Sequence, residues 1–416
     1  MTTNRGSLAS FFLRLGRQVW VRAALFTFIG IAIALIAGFL GPLLPFDVTI
    51  DLGQNAVGSL LQIIATAMLT VSTFSVTAMV TAFSSATTTA TPRSTPLLIA
   101  DPTSQNAVST FVGAFTYSLV GIVALSTGYY TEQGRTILFI GTLIVIGIVV
   151  FTLLRWISHL STFGRMADVI DRLEKAATDA LTAYGAAPLL GARRLTSIPP
   201  GARPIHSDGV GYVTHLNVSA LNRIADAHDL RVYVVAAPGR VADARTPLVR
   251  IEGAVDDRVI SQVRGAFRVE SHRSFEQDPR FGVIALTEIG SRALSPATND
   301  PGTAIEVMAA LQRVFTPALT ADPDDEVHYS RVFVTPTTLG ELIDDAFRPI
   351  ARDGAGNIEV HVRLQKCLAS LAAAAPRHAH EFREAARAAS ARGRRGLDPT
   401  DARTLRTTVR EAWSGV

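Results

Sequence analysis

The sequence is poor in charge over its first part. Charged residues make up 18% of the 416 residues, whereas an average soluble chain has about 25%. The deficit lies in four stretches without Asp, Glu, Lys or Arg, namely 23–46, 52–92, 102–131 and 136–154. Each reaches the roughly 18 to 20 residues that an α-helix needs to cross the hydrocarbon core of a bilayer. The lack of charge therefore indicates four membrane-spanning helices.

Cysteine and intramembrane ionisable residues are also scarce. Cys367 is the only cysteine, which rules out an intrachain disulfide and fits a reducing compartment. Its helical surroundings predict a small buried side chain rather than a nucleophile. Proton relays and carriers of charged substrates use ionisable residues inside the membrane. Because the apolar stretches contain none, a proton-coupled transporter is disfavoured.

No pattern in the sequence indicates catalysis, a cofactor or a metal. Gly-x-Ser-x-Gly and Walker sequences are absent,. His272 and Glu276 stand four residues apart, but no second histidine completes a zinc pair,. The net charge of +4 and the scattered arginines give no basis for a nucleic-acid partner,. We predict no catalytic residue, metal or cofactor, and an enzyme is the least favoured class.

The order of apolar and polar segments predicts two domains. Residues 1–160 are expected to form an α-helical polytopic membrane domain, with transmembrane helices at about 21–41, 57–86, 107–130 and 137–160,. The fourth helix is expected to run on into an amphipathic connector helix and a linker, together residues 161–208,. Residues 209–416 are expected to form a mixed α+β, mainly helical, cytoplasmic domain,.

The loop charges predict the orientation in the membrane. Lys and Arg residues flank the amino-terminal side of the first helix and the end of the fourth, whereas the first loop carries only Asp47 and Asp51. Because basic residues are retained on the cytoplasmic side, both termini are expected in the cytoplasm of a bacterial inner membrane. The basic residues are Arg5, Arg14, Arg17, Arg22, Arg155, Arg165, Arg172 and Lys175.

Small residues and polar residues mark the first and second helices differently. Gly30, Ala34 and Gly38 recur every four residues in the first helix, a spacing typical of close helix packing,. In the second helix, polar residues recur every three or four residues and therefore form a continuous line along one side. This polar stripe consists of Gln62, Thr66, Thr70, Thr73, Thr77, Thr81, Ser84 and Thr88.

Two interpretations of the polar stripe remain open. It can face other helices as hydrogen-bonded packing, or it can line a water-filled pathway, since channels also select with neutral groups. Ser72 and Ser75 are expected to widen the polar face, and Trp156 is expected to be an interfacial anchor,.

Two polar segments of the second domain precede predicted helices. Glu276 and Asp278 lie in the first, and Asn299 and Asp300 lie in the second. Each segment contains an Asp-Pro pair, which is typical of a helix start. These four residues are expected either to cap helices or to form a cytoplasmic site for a small ligand.

Several blocks resemble a known family. They are the polar second helix, Val210-Gly211-Tyr212-Val213, the segment from Glu276 to Gly282, and the segment from Ala293 to Ala304. In this order they are similar to the bacterial "predicted membrane protein" family, domain of unknown function 2254. The resemblance implies four membrane helices followed by a cytoplasmic domain, and it brings no activity, substrate or catalytic residue. The chain departs from the family pattern in having only Arg93 as a basic residue of the second loop and Ala297-Thr298 before Asn299.

The favoured functional expectation is a homo-oligomeric, channel-like membrane protein. The polar stripe would surround the axis, and the cytoplasmic domain would assemble or regulate the subunits. Its partners would be the lipid bilayer, further copies of the chain, and ions or small solutes. The alternative is a membrane-anchored scaffold or sensor whose cytoplasmic domain binds a protein or a small ligand without transport.

Overall fold

The computed structural model describes residues 19–40, 54–324 and 326–415. The chain divides into two compact units, one up to Val169 and one from Ile170 onward. The predicted first loop and most of the amino-terminal arginines lie outside the described residues.

The first unit is entirely helical where it is described. Its long helices are α1 (Val19–Leu40), α2 (Gln54–Thr89), α4 (Pro102–Ser126) and α5 (Glu132–Leu160), with a 3₁₀ turn (Pro92–Ser94) and the short α3 (Thr95–Ile99) between α2 and α4. All four long helices are apolar and long enough to cross a membrane,.

Two helices start earlier than their apolar patterns predict, because capping residues fix their first turns. Asp101 accepts a hydrogen bond from the Ser104 amide at 2.7 Å, so α4 begins at Pro102 rather than near 107,. Thr131 accepts from the Gly134 amide at 3.2 Å, so α5 begins at Glu132 rather than near 137.

Helices α1 and α4 approach each other closely at glycines. A Cβ atom added to Gly30 would stand 2.7 Å from the Gly113 carbonyl oxygen, and one added to Gly113 would stand 3.0 Å from the Phe26 carbonyl oxygen. Tyr130 donates a hydrogen bond to the Ala34 carbonyl at 2.7 Å. The predicted packing role of the small residues in the first helix is therefore confirmed.

The sequence pattern predicts that the fourth helix runs on into the connector helix, but the structure shows a break between them. Helix α5 ends at Leu160, and the next helix, α6 (Met166–Ala186), starts after a turn. Gly164 in this turn has φ +74°, a left-handed conformation that glycine adopts without strain,. Its amide donates a hydrogen bond to the Asp168 carboxylate at 2.9 Å, and this bond connects the turn to the start of α6.

The second unit contains two small sheets. Its strands are β1 (Ala192–Arg194), β2 (Arg203–Ile205), β3 (Gly211–Leu216), β4 (Arg231–Val234), β5 (Val241–Ala242), β6 (Val249–Glu252), β7 (Phe267–Glu270) and β8 (Tyr329–Val334). The five-stranded sheet has the order β1-β8-β4-β6-β2, in which β8 pairs in parallel with β1 and β4 while the other pairs are antiparallel. The antiparallel three-stranded sheet has the order β5-β3-β7.

The segment before residue 209 is not a simple linker, contrary to the prediction. Strands β1 and β2 lie within it, and they form the two edges of the five-stranded sheet. Each has three residues, which is too short for an alternating pattern to stand out among prolines and arginines. Edge strands need only one hydrogen-bonded neighbour, so such short segments suffice.

Helices make up the remainder of the second unit. They are α7 (Val218–Ala227), α8 (Asp257–Gly265), α9 (Phe281–Ala293), α10 (Pro301–Thr320), α11 (Leu339–Asp353), α12 (Ile358–Ala374), α13 (Ala379–Gly396) and α14 (Pro399–Ala412), with a 3₁₀ turn (Pro376–His378) before α13. The sheets and α7–α8 enclose one apolar core. The mainly helical character of this unit is confirmed.

The close approach of α1 and α4 gives a prediction for the first unit. In Gly30→Ala, the new methyl group meets the Gly113 backbone at 2.7 Å, and relieving this overlap should cost about 1–3 kcal/mol. Gly147→Ala is the matched control, since a Cβ there has no atom within 4 Å. Thermal unfolding of the full chain in neutral detergent should show a lower midpoint for Gly30→Ala only. Equal midpoints would contradict the packing that we describe.

Candidate functional site

The polar stripe lies on the outer face of α2. All eight of its residues are exposed. The face that packs against the other helices carries Leu61, Ile64, Ala65 and Met68, and by helical spacing it lies about 160° around α2 from the stripe. Packing within its own helical bundle therefore does not explain the stripe.

The threonine hydroxyl groups of the stripe are satisfied by their own helix. Thr70 donates to the Thr66 carbonyl at 3.0 Å, and Thr77 donates to the Thr73 carbonyl at 3.0 Å. Thr66, Thr73, Thr81 and Thr88 also donate to carbonyls four residues earlier. Because the hydroxyl proton is used inward, each oxygen keeps acceptor capacity on its outer side. The six threonines of the stripe thus present neutral acceptor oxygens.

Ser72 and Ser75 do not widen this face, contrary to the prediction. Both are buried, and the Ser75 hydroxyl accepts a hydrogen bond from the Trp156 indole at 2.9 Å. Trp156 is itself buried in the bundle, so it is no interfacial anchor. The sequence of α2 alone does not reveal that its two serines lie on the inner face, because their burial depends on which helices pack there.

A buried polar cluster joins the start of α4 to the end of α5. The Asp101 carboxylate accepts from the Ser104 hydroxyl at 2.6 Å and lies 2.9 Å from His159 Nε2. Both contacts use the same carboxylate oxygen, so His159 does not lie between Ser104 and Asp101 as a catalytic triad requires. The cluster therefore connects the start of α4 to the end of α5. No local sequence pattern relates the two residues, since His159 lies 58 positions from Asp101.

Asp278 is the central residue of the first polar segment of the second unit. Its carboxylate is 2% exposed and receives two hydrogen bonds from the Arg273 guanidinium, at 2.7 and 2.9 Å. It also accepts from the amides of Arg280 and Phe281, at 3.1 and 3.2 Å, at the start of α9. Gly239 approaches so closely that a Cβ there would stand 2.5 Å from this carboxylate. Asp278 is therefore fully engaged in structure.

Arg280 extends this network to α11. Its guanidinium binds the Asp345 carboxylate through two hydrogen bonds, at 2.6 and 3.0 Å, and lies 3.3 Å from Glu341. The hydrogen bonds that Arg280 donates to Asp345 are the main reason why the pKa of Arg280 is raised. The segment thus connects the loop before β5, the start of α9 and the face of α11. Its function in the fold is to hold these elements together.

Asn299 and Asp300 lie at the other end of α9. Asn299 has φ +48° in the turn after the helix, and Asp300 caps α10 by accepting from the Thr303 amide at 3.0 Å. Helix α9 has 13 residues, which places its ends about 20 Å apart. The structure therefore does not bring Glu276 and Asp278 together with Asn299 and Asp300. Asp300 is the N-cap of α10, whereas Asp278 accepts from the first amides of α9 two residues before its N-cap, Arg280.

A cleft of about 460 Å³ opens elsewhere in the second unit. Tyr184, Arg194, Phe315, Thr338, Arg377 and His378 contribute to its walls. The Tyr184 hydroxyl donates to the Thr337 carbonyl at 2.7 Å, and burial raises the pKa of Tyr184 to about 12. Arg377 donates to the Leu319 carbonyl at 3.2 Å near the end of α10. The cleft is mainly apolar with a basic rim, which is typical of a pocket for a small organic ligand.

Two further groups of reactive side chains have simple explanations. Cys367 is buried, and burial raises the pKa of its thiol to about 12, so it is no nucleophile,. Within the described ranges, the only group with metal-ligand geometry is Asp324, Glu326 and His328. These side chains are exposed, and Asp324 accepts a hydrogen bond from the Glu326 amide at 3.0 Å. This arrangement is a local turn.

Comparisons with known proteins place most of the chain in one family. The model of the family described as "Predicted membrane protein (DUF2254)" matches residues 16–370. Uncharacterised proteins of Mycobacterium bovis and of two strains of Mycobacterium tuberculosis are each 50% identical to this chain over 54 residues. That segment is 13% of this chain and 10% of each relative, so the match spans about a tenth of their length. No solved structure matches the chain.

The engaged carboxylate of Asp278 predicts a large loss of stability on its removal. Asp278→Ala leaves Arg273 without its buried partner and should cost about 3–5 kcal/mol. Asp300→Ala removes an exposed cap of the same residue type and should cost about 1 kcal/mol. Thermal unfolding of the full chain, followed by circular dichroism in detergent, measures both. If the two variants lose the same stability, the structural role of Asp278 is refuted.

Proposed function

The chain belongs to the DUF2254 family of predicted membrane proteins, and we propose that it is a homo-oligomeric, channel-like protein of the bacterial inner membrane. In this proposal the polar stripe of α2 faces a pathway between subunits. The second unit lies in the cytoplasm with both chain termini, where it assembles or regulates the subunits.

The outward position of the stripe carries the proposal. From Gln62 to Thr88 the stripe covers 26 residue steps, or about 39 Å of helix, which exceeds the roughly 30 Å of the hydrocarbon core. Exposed polar groups in contact with lipid are unfavourable, and the Gln62 amide is more so than the hydroxyls. Another subunit or water is a better neighbour for this face along the whole membrane.

The chemistry of the stripe supports passage of a cation or a neutral solute. The threonine oxygens of the stripe can accept hydrogen bonds on the outer side of α2, and the stripe contains no ionisable group. Neutral oxygen donors can replace part of the hydration shell of a cation, and apolar constrictions can regulate passage. Exposed apolar side chains flank the stripe on both sides, among them Leu69, Phe74, Val76 and Val80. These flanks suit contacts between neighbouring subunits or with lipid.

The distribution of basic residues supports the orientation. The amino-terminal arginines and those that follow α5 are on the same side when four helices cross the membrane. The bias of Lys and Arg toward the cytoplasm then puts both ends and the second unit inside.

A membrane-anchored sensor is the second candidate function. The 460 Å³ cleft beside Tyr184 is the observation that favours it, because its size and lining suit a small organic ligand,. In that case the stripe would serve only to associate subunits. Flux assays separate the two candidates, since reconstituted vesicles should pass small ions or solutes only if the protein is channel-like.

Cysteine substitution tests the water-lined stripe. Thr73→Cys and Thr77→Cys should react with a charged thiol reagent in intact membranes about tenfold faster than cysteines in a dry environment, because only the thiolate reacts and it forms in water. Phe74→Cys and Val76→Cys are the matched controls. They lie at the same depths, next in sequence, and are exposed on the flanks. Cys367 contributes little background because it is buried.

Two outcomes would count against the proposal. Equal, slow labelling of Thr73→Cys and Phe74→Cys would show that the stripe does not contact water. A monomeric mass by light scattering, together with no Thr73→Cys disulfide between copies under oxidation, would show that the stripe faces lipid.

A further inference from the structure

A basic cleft of about 560 Å³ opens along α13 in the second unit. Its walls come from α12, α13, α14 and the residue after α14. They consist of Gln365, Arg383, Ala386, Arg387, Ser390, Arg394, Val409 and Trp413. Three of these eight residues are arginines and none is acidic, so the cleft presents a strongly positive surface.

The arginines share one face of α13. Arg387 and Arg394 are seven residues apart, and Ser390 lies between them, about one turn from each,. Neither Arg387 nor Arg394 forms an ion pair within 4.0 Å with any carboxylate in the described part of the chain. The two guanidinium-bearing residues are two helical turns apart, about 10 Å along the axis. A phosphate above Ser390 would be within reach of both side chains.

The opposite wall is a fixed aromatic ring. The Trp413 indole donates a hydrogen bond to Gln365 Oε1 at 3.2 Å, and Gln365 Nε2 donates to the Ala386 carbonyl at 2.9 Å. Gln365 is completely buried. The Arg383 guanidinium lies over the indole, 5.6 Å from the ring centre. Because these contacts hold the ring in place, a ligand would lose little free energy in ordering it.

An arginine-rich surface helix would be the simple explanation, but it does not account for the cleft. Such a helix gains solubility from its charges wherever they point, as with the exposed Arg395 on the same helix, outside the cleft. It needs neither a cavity within the usual size of ligand pockets nor a buried glutamine that fixes a tryptophan. Here the basic groups and the aromatic wall face the same space.

We propose that this cleft binds a small phosphate ester that carries a planar ring. Arg387 and Arg394 would bind the phosphate through charge-assisted, bidentate hydrogen bonds, with Ser390 donating from below. The ring would lie beside Trp413 and Val409. The site is independent of the polar stripe, so its test does not depend on the channel-like function.

Calorimetric titration of the full chain in neutral-lipid nanodiscs tests the proposal. Adenosine 5′-monophosphate is the probe because it contains both a phosphate and a planar ring. It should bind more tightly than adenosine, which lacks the phosphate, and than inorganic phosphate, which lacks the ring. Its affinity should fall as salt rises, because the main contacts are ionic.

Substitutions divide the binding between its two parts. Arg387→Gln and Arg394→Gln should each weaken adenosine 5′-monophosphate about tenfold or more, since each removes a charge-assisted hydrogen bond. Arg387→Lys keeps the positive charge but cannot form the bidentate hydrogen bonds of a guanidinium, so it should weaken binding less than Arg387→Gln. Trp413→Leu should weaken adenosine 5′-monophosphate but leave inorganic phosphate unchanged. Arg395→Gln is the matched control and should change neither. Thermal unfolding midpoints equal to the wild type identify the variants that remain folded.

Three results would overturn the proposal. The first is the absence of binding of adenosine 5′-monophosphate at millimolar concentration. The second is an equal loss of affinity in Arg395→Gln and Arg394→Gln, which would indicate general attraction to a basic surface. The third is binding of the short-chain lipid dihexanoyl-phosphatidylglycerol without binding of adenosine 5′-monophosphate, which would assign the cleft to a lipid headgroup.

Discussion

The first unit depends on one constraint, namely that a helix in hydrocarbon has to satisfy its own hydrogen-bond donors. An unpaired polar group there costs several kcal/mol. In α2 the threonine hydroxyls meet this constraint by donating to carbonyls one turn earlier. Only because of these internal bonds can a helix carry hydroxyls over its full length and still insert. The threonines of the outward face then keep acceptor oxygens while their own donors are paired.

The hydroxyl groups on the two faces of α2 are paired in different ways. On the inner face, Ser75 accepts from the Trp156 indole, so these two residues form a polar pair within the bundle. On the outer face, the threonine hydroxyls of the stripe donate to carbonyls of their own helix, and the stripe is exposed among the described residues. The inner pair joins α2 to α5. The described helices leave the outer row exposed, and this is why we assign it to subunit contacts or water.

Part of this structure can be predicted from the sequence. Hydropathy identifies the four long helices because each is long enough to cross a bilayer and nearly free of charge,, and the spacing of Gly30, Ala34 and Gly38 indicates close packing. The cap at Asp300 also follows from local sequence, since a cap bonds only within three residues,. The polar stripe can also be predicted, because its residues recur every three or four positions and this spacing does not depend on neighbouring helices,.

The remaining features depend on contacts between residues far apart in the chain. Asp101 and His159 meet only after α4 and α5 pack, and no local pattern relates them. The buried positions of Ser72 and Ser75 depend on which side of α2 receives α5. Strands β1 and β2 are stabilised by their neighbours in the sheet rather than by their own three residues. A turn that contains Gly164 in a left-handed conformation separates α5 from α6. An amphipathic sequence pattern does not reveal such a backbone conformation.

The family match separates two levels of function in the chain. It covers residues 16–370 and therefore includes the whole of α2 with the polar stripe. A pathway along α2 is thus a hypothesis that extends to the family. The basic cleft lies mainly on α13 and α14, beyond the matched region, and only Gln365 of its wall falls inside it. A phosphate ester bound there would act on helices outside the matched region, so ligand dependence and membrane function should be separable by substitutions in α13 alone.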